Sequence, residues 1–160
     1  MSRETTLAAF SPLHRAQWKG EEAPHKPLLV LMALSQWLQS GATRFRYADV
    51  QDPLRELIRE FGLTGSTSVD PRLPFWHLTN DHVWKVETPN GSPVHFTGRR
   101  PLVSELIDQD ARGRFDDQVA ADLYGSPGLV FELIGQLLCE CFDPQQHTVL
   151  LQRLGLWLRS

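Results

Sequence analysis

A chain of 160 residues that is 41% apolar and 22% charged can bury one core and carries too little charge for a disordered segment. No apolar run is long enough to cross a bilayer, and Met1–Phe10 lacks the core of a secretory signal, so a cytoplasmic protein is expected. The net charge of −3 taken alone argues against nucleic acid. Its distribution argues otherwise: residues 1–50 carry six Lys or Arg against four acidic residues, residues 51–100 six against six, and residues 101–160 four against nine. Any anion-binding face therefore belongs to the first hundred residues, with the acidic last third on the far side.

Glu4 to Ala9 reads as a short helix anchored by Leu7 and Phe10 before Pro12. Trp18 to Pro24 is a polar loop. Pro27 suits a first helical position, and Leu28, Leu31, Leu34, Ser35 and Leu38 mark one helical face. Leu29, Met32 and Trp37 widen that face until the helix must be central, and Gly41 ends it. Thr43 to Tyr47 alternates like a short strand. A second helix is predicted from near Pro53, with Leu54, Leu57, Ile58 and Phe61 on one side and Gly62 as its stop. Gly65 to Ser68 reads as a flexible loop, followed by Leu73-Pro74-Phe75-Trp76-His77-Leu78. Val83 to Glu87 alternates like a strand, and Asn90-Gly91 signals a hairpin leading to Val94-His95-Phe96. Helix returns at roughly 101–109, 116–124 and 127–142, with a last apolar piece at 148–158. With no repeat or linker, residues 1–160 read as a single domain, mainly α with a small antiparallel β-ribbon (α+β), winged-helix-like.

Residues for catalysis are missing. No glycine loop cradles a phosphate, and Gly125-Ser126-Pro127-Gly128 is not a nucleophile elbow, because proline follows the serine. Lys85-Val86-Glu87 runs in the opposite order to a nuclease carboxylate–lysine pattern. Cys139 and Cys141 fit neither a zinc half-site nor a disulfide framework and read as core thiols of a reducing compartment. The six histidines are scattered singly. The chain is expected to be no enzyme by itself, and to need no metal, cofactor or small-molecule substrate.

Two segments point to a function. Ala23-Pro24-His25-Lys26-Pro27-Leu28-Leu29 puts a polar His-Lys pair at the start of the most buried helix, where unpaired N–H groups and the positive end of the dipole favour an anion. A plain helix cap with a solvated Lys26 explains the same residues. The second segment is Leu73-Pro74-Phe75-Trp76-His77-Leu78 with Trp84. Phe75, Trp76 and Trp84 are core candidates, whereas Leu73 and Pro74 follow a polar loop and are expected to form an exposed apolar rim.

These two segments together resemble the sulfur-binding domain of phosphorothioate-dependent, McrA-like HNH type IV restriction endonucleases. The likeness runs on through Gly113-Arg114-Phe115-Asp116, Leu137-Leu138 to Phe142, and His147 with Leu154-Gly155-Leu156, and so covers nearly the whole chain. It implies a shallow sulfur pocket lined by His25, Lys26, Leu73, Pro74 and His77. It implies as partners a double-stranded DNA bearing an Rp phosphorothioate and a covalently linked HNH nuclease domain. The sequence departs from the family twice, with Leu73 where an aromatic stands and His77 where a small residue stands. Lys19, Ser66, Thr67, Ser68, Arg72, Arg99 and Arg100 flank these segments and are expected to contact bases or phosphates.

The residue types suit the task. A phosphorothioate keeps its charge but replaces one oxygen with a larger, poorly hydrated sulfur. An oxygen pressed against an apolar wall loses water and gains nothing, at roughly 1–3 kcal/mol or more, whereas sulfur gains dispersion contact. Two other readings fit the same residues: a DNA-binding module that senses another mark or unmodified DNA, and a helical protein-interaction domain anchored by Trp18, Trp37 and Trp157.

Overall fold

Eleven residues at the start of the central helix decide the architecture, because nearly all of them are buried. In the computed structural model, which describes residues 3–15, 25–61 and 70–156, α1 (Arg3–Ala9) and α2 (Pro12–Arg15) lead to α3 (His25–Ser40). From Leu28 to Ser35 every side chain of α3 is buried, so neighbouring elements must surround it. It contacts α2 and, as introduced below, α4, α5, α8 and α9. The helix starts two residues before Pro27, which sits in the first turn where its missing N–H is no loss. It stops where expected: Gly41 has φ 76° and donates its N–H to the Trp37 carbonyl at 2.8 Å.

The strand expected at Thr43–Tyr47 shrinks to β1 (Phe45–Arg46), and α4 (Tyr47–Phe61) begins at once rather than near Pro53. The spacing Tyr47, Val50, Leu54, Leu57, Ile58, Phe61, all buried, already carries the helical period from Tyr47. Pro53 was the misleading signal; it lies inside the helix. Next come α5 (Arg72–His77), a 3-10 turn at Leu78–Asp81, β2 (Trp84–Glu87), α6 (Val103–Asp108), β3 (Arg112–Phe115), α7 (Asp117–Tyr124), α8 (Pro127–Cys141) and α9 (Pro144–Leu154). The chain is thus mainly α with a small antiparallel sheet.

The ribbon is built differently from the expected hairpin. The Asn90-Gly91 turn is present, with Gly91 at φ 87° and the Thr88 N–H donating to Ser92 at 2.8 Å. Beyond it only a lone bridge joins Glu87 to Pro93, since proline has no N–H to continue a ladder. The true partner of β2 is β3, in register Trp84 with Phe115 through Glu87 with Arg112, and β3 also pairs with β1. The antiparallel order is β1-β3-β2, so β3, a stretch given no element in the sequence analysis, is the central strand.

Gly113 explains how that works. A Cβ there would lie 2.1 Å from Trp84 Cζ2, so the indole lies flat on the bare backbone of β3. Trp84, 2% exposed, anchors an aromatic cluster with ring centroids 5.3 Å from Phe115, 6.0 Å from Phe75 and 6.1 Å from Phe45. Phe75 in turn lies 5.0 Å from Tyr47. One corner of the core therefore joins α4, α5 and all three strands. Cys141 is buried, but Cys139 is exposed and is no core thiol: two residues along a helix rotate a side chain by about 200°.

Candidate nucleic-acid interface

α5 is a six-residue helix fixed on three sides. On its inner side Pro74 and Phe75 are buried, and the helix packs on α3. At its start, the Arg72 guanidinium bonds Asp70 Oδ2 at 3.0 Å and the Pro101 carbonyl at 3.2 Å, while the Arg72 N–H donates to Asp70 Oδ1 at 3.1 Å. At its end, Arg100 Nη1 lies 3.2 Å from His77 Nε2. The segment that carries Arg99, Arg100 and Pro101 therefore runs alongside α5.

The first turn of α3 is tied to the same place. Lys26 Nζ lies 2.8 Å from Asp81 Oδ2, and Asp81 ends the 3-10 turn that continues α5 without a break. The Lys26 and Asp81 side chains are 23% and 15% exposed, so this pair is partly withdrawn from water and less screened than a surface pair. The first turn of α3 is thus tied to the turn that follows α5, and α3 and α5 pack against each other.

The individual side chains take unequal places. His25 is buried and Lys26 half-buried. Leu73 and His77 are half-buried, but Pro74 is buried, so the exposed rim expected of Leu73 and Pro74 reduces to Leu73. The cause is local: residues 72–77 coil into a helix instead of running extended, and the helix turns Pro74 and Phe75 inward together. Arg72 differs too. Expected as a DNA donor, it is 17% exposed and spends its hydrogen bonds holding α5. Arg99 and Arg100 are both exposed. Lys19, Ser66, Thr67 and Ser68, together with Trp18 and Trp157, lie outside the described residues. Trp37 is half-buried and stacked on Tyr124 at 4.9 Å.

Asp81 is the residue that sequence reasoning missed. Its only signal was an acidic residue placed between two basic-looking segments, which without the fold has no partner.

A cleft of about 500 Å³ opens beyond the end of α5, lined among others by Trp76, Thr79, His82, Lys85 and Arg114. It is a poor phosphate site because its cations are already matched. Arg114 is paired with Glu87 and lies 2.7 Å from Asp117, and Lys85 lies 3.8 Å from Asp116. Among the described residues no group of three or more His, Cys, Asp or Glu side chains is placed to hold a metal ion, and no helix is long and apolar enough to cross a membrane. Around α5 stand Lys26, paired with Asp81, and the exposed Arg99 and Arg100.

Comparison with known proteins gives the chain a family and its fold known relatives. The profile of the family described as ScoMcrA-like, DNA sulfur-binding domain matches residues 3–158. The sulfur binding domain of ScoMcrA complexed with phosphorothioated DNA is similar in fold, with a TM-score of 0.69 and 24% identity over 84% of each chain. The sulfur binding domain of SprMcrA complexed with phosphorothioated DNA gives a TM-score of 0.62 and 21% identity, covering 82% of this chain and 80% of that one. The type IV phosphorothioation-dependent restriction endonuclease ScoMcrA gives a TM-score of 0.69 and 25% identity over 86% of this chain, which spans 30% of that endonuclease. No curated protein matches the sequence.

Proposed function

Because the chain belongs to the family of ScoMcrA-like DNA sulfur-binding domains, we propose that it recognises phosphorothioate-modified double-stranded DNA with the face built from the start of α3 and the outer side of α5. The observation that carries this is the Lys26–Asp81 contact, which ties a helix N-terminus and its cation to the 3-10 turn that follows the element bearing Leu73, Pro74 and His77. Related domains have been solved with phosphorothioated DNA bound, and the same fold carries it.

Lys26 and the free N–H groups of α3 hold the charge of the modified linkage. Leu73 supplies the apolar surface that sulfur tolerates and oxygen does not, with buried Pro74 and His25 as the floor beneath it. Only one non-bridging position can face that surface, so one stereoisomer is preferred, and the resemblance to the family implies that it is Rp. His77, held by Arg100, narrows the pocket on the far side, and the Arg99–Arg100 segment supplies contacts to neighbouring phosphates or base edges. A discrimination of about 3 kcal/mol corresponds to a preference on the order of 100-fold. The domain itself performs no chemistry; in the cytoplasm it brings a linked HNH nuclease domain to marked DNA. The ScoMcrA endonuclease, in which a domain of this fold makes up under a third of the chain, supports that role.

The test is direct binding of one duplex with and without a single Rp sulfur. Tighter binding of the sulfur duplex is expected. Equal retention of both would leave a sensor of another mark or of plain DNA, and retention of neither would favour a protein-interaction domain.

A further inference from the structure

We propose that Asp81 sets the selectivity of this site by pinning the Lys26 ammonium in one position. This rests on the sulfur-reading function above and names a residue it does not contain. Asp81 is itself firmly held. The 3-10 turn that ends with it is anchored by buried Leu78 and by Thr79 Oγ1, which donates to the Trp76 carbonyl at 2.7 Å. His82 follows with φ 63°, a left-handed conformation uncommon for a residue with a side chain, and turns the chain abruptly into β2. A carboxylate on such a turn has little freedom, and its 2.8 Å contact with Lys26 passes that fixity on.

Lysine otherwise carries a point charge on a flexible four-carbon stem. Left free, the ammonium would follow a phosphate outward, and a plain phosphate would bind without meeting Leu73. An ammonium has three N–H donors; one can stay with Asp81 while the others meet the incoming anion. The anion then has a single docking pose, in which one non-bridging atom must lie against the apolar surface. Oxygen suffers in that pose and sulfur does not. Asp81 has a second, unselective effect: its negative charge lowers the electrostatic attraction of every duplex alike.

These two effects separate experimentally. Binding is measured for wild type, Asp81→Asn and Asp81→Glu with Rp, Sp and sulfur-free versions of one duplex at several salt concentrations, with melting temperatures taken alongside. Asp81→Asn should bind the sulfur-free duplex on the order of tenfold tighter and the Rp duplex less so, and should lose most of the preference for Rp over Sp. Its salt slope should steepen by about one. Asp81→Glu keeps the charge but moves the ammonium by one methylene, so its preference should fall while its salt slope stays at the wild-type value. It also answers the question if Asp81→Asn fails to fold. A wild-type preference retained in either folded variant overturns the proposal, as does an equal loss of affinity for all three duplexes. A wild type that cannot tell Rp from sulfur-free DNA sinks the sulfur-reading function instead.

Discussion

In the proposed site Lys26 supplies charge and Leu73 apolar contact, so their substitutions should fail in different ways. Lys26→Ala is expected to weaken binding to modified and plain duplexes alike and to reduce the salt slope by about one, as removal of a single phosphate contact does. Leu73→Ser should leave plain-DNA affinity nearly unchanged and cut the preference for sulfur roughly tenfold, since sulfur loses its apolar contact at that wall. Titrations of both duplexes across a salt series check both outcomes, and a Leu73→Ser protein with undiminished preference would place the sulfur elsewhere. At this scale the sequence was informative about chemistry and poor about exposure. The His25-Lys26-Pro27 start and the Leu73–His77 segment could be singled out because residue type and proline spacing are local properties. That Pro74 is buried and Arg72 is an internal brace depends on the handedness of a six-residue helix and on Pro101, 29 residues away, and no local pattern encodes that.

α5 owes its position to contacts at both ends, and the brace at its start can be removed. Arg72→Ala gives up the bonds to Asp70 and Pro101 and should destabilise the fold by about 1–3 kcal/mol, seen as a lower melting temperature with faster amide exchange at residues 72–77. Unchanged stability with lost DNA affinity would make Arg72 a DNA contact after all. β3 is the other sensitive element. Gly113→Val drives a branched side chain into the Trp84 indole, a clash costing about 1–3 kcal/mol where the core relaxes and more where it does not; thermal unfolding reads it. Most helices were legible in the sequence because their apolar spacing is internal to each segment, as with Leu54, Leu57, Ile58 and Phe61. The sheet was not, because pairing Trp84 with Phe115 and Phe45 with Gly113 joins stretches dozens of residues apart, and the strong Asn90-Gly91 turn suggested a nearer partner.

Across the whole molecule, both tyrosines serve the core. Burial pushes the Tyr47 phenol up to about 12, with the nearby Asp70 carboxylate adding to the effect, and burial alone raises Tyr124 to about 12. In the unfolded chain a phenol ionises near pH 10. Because the folded values are the higher ones, this stabilisation is complete below about pH 10 and disappears as pH climbs from there toward about 12. Tyrosinate absorbance should therefore rise together with loss of circular dichroism, in one cooperative step; phenols that ionise near pH 10 in a still-folded protein would contradict it. The central place of β3 has a consequence for anyone wishing to transplant the reader. Lys26, Leu73, His77 and Arg100 all precede residue 112, yet the strand that seats their aromatic footing arrives only at Arg112–Phe115, and α7, α8 and α9 close over the rest. A shortened graft keeping just the contact segments would lack its keystone, so this recognition device is portable only as an undivided cassette.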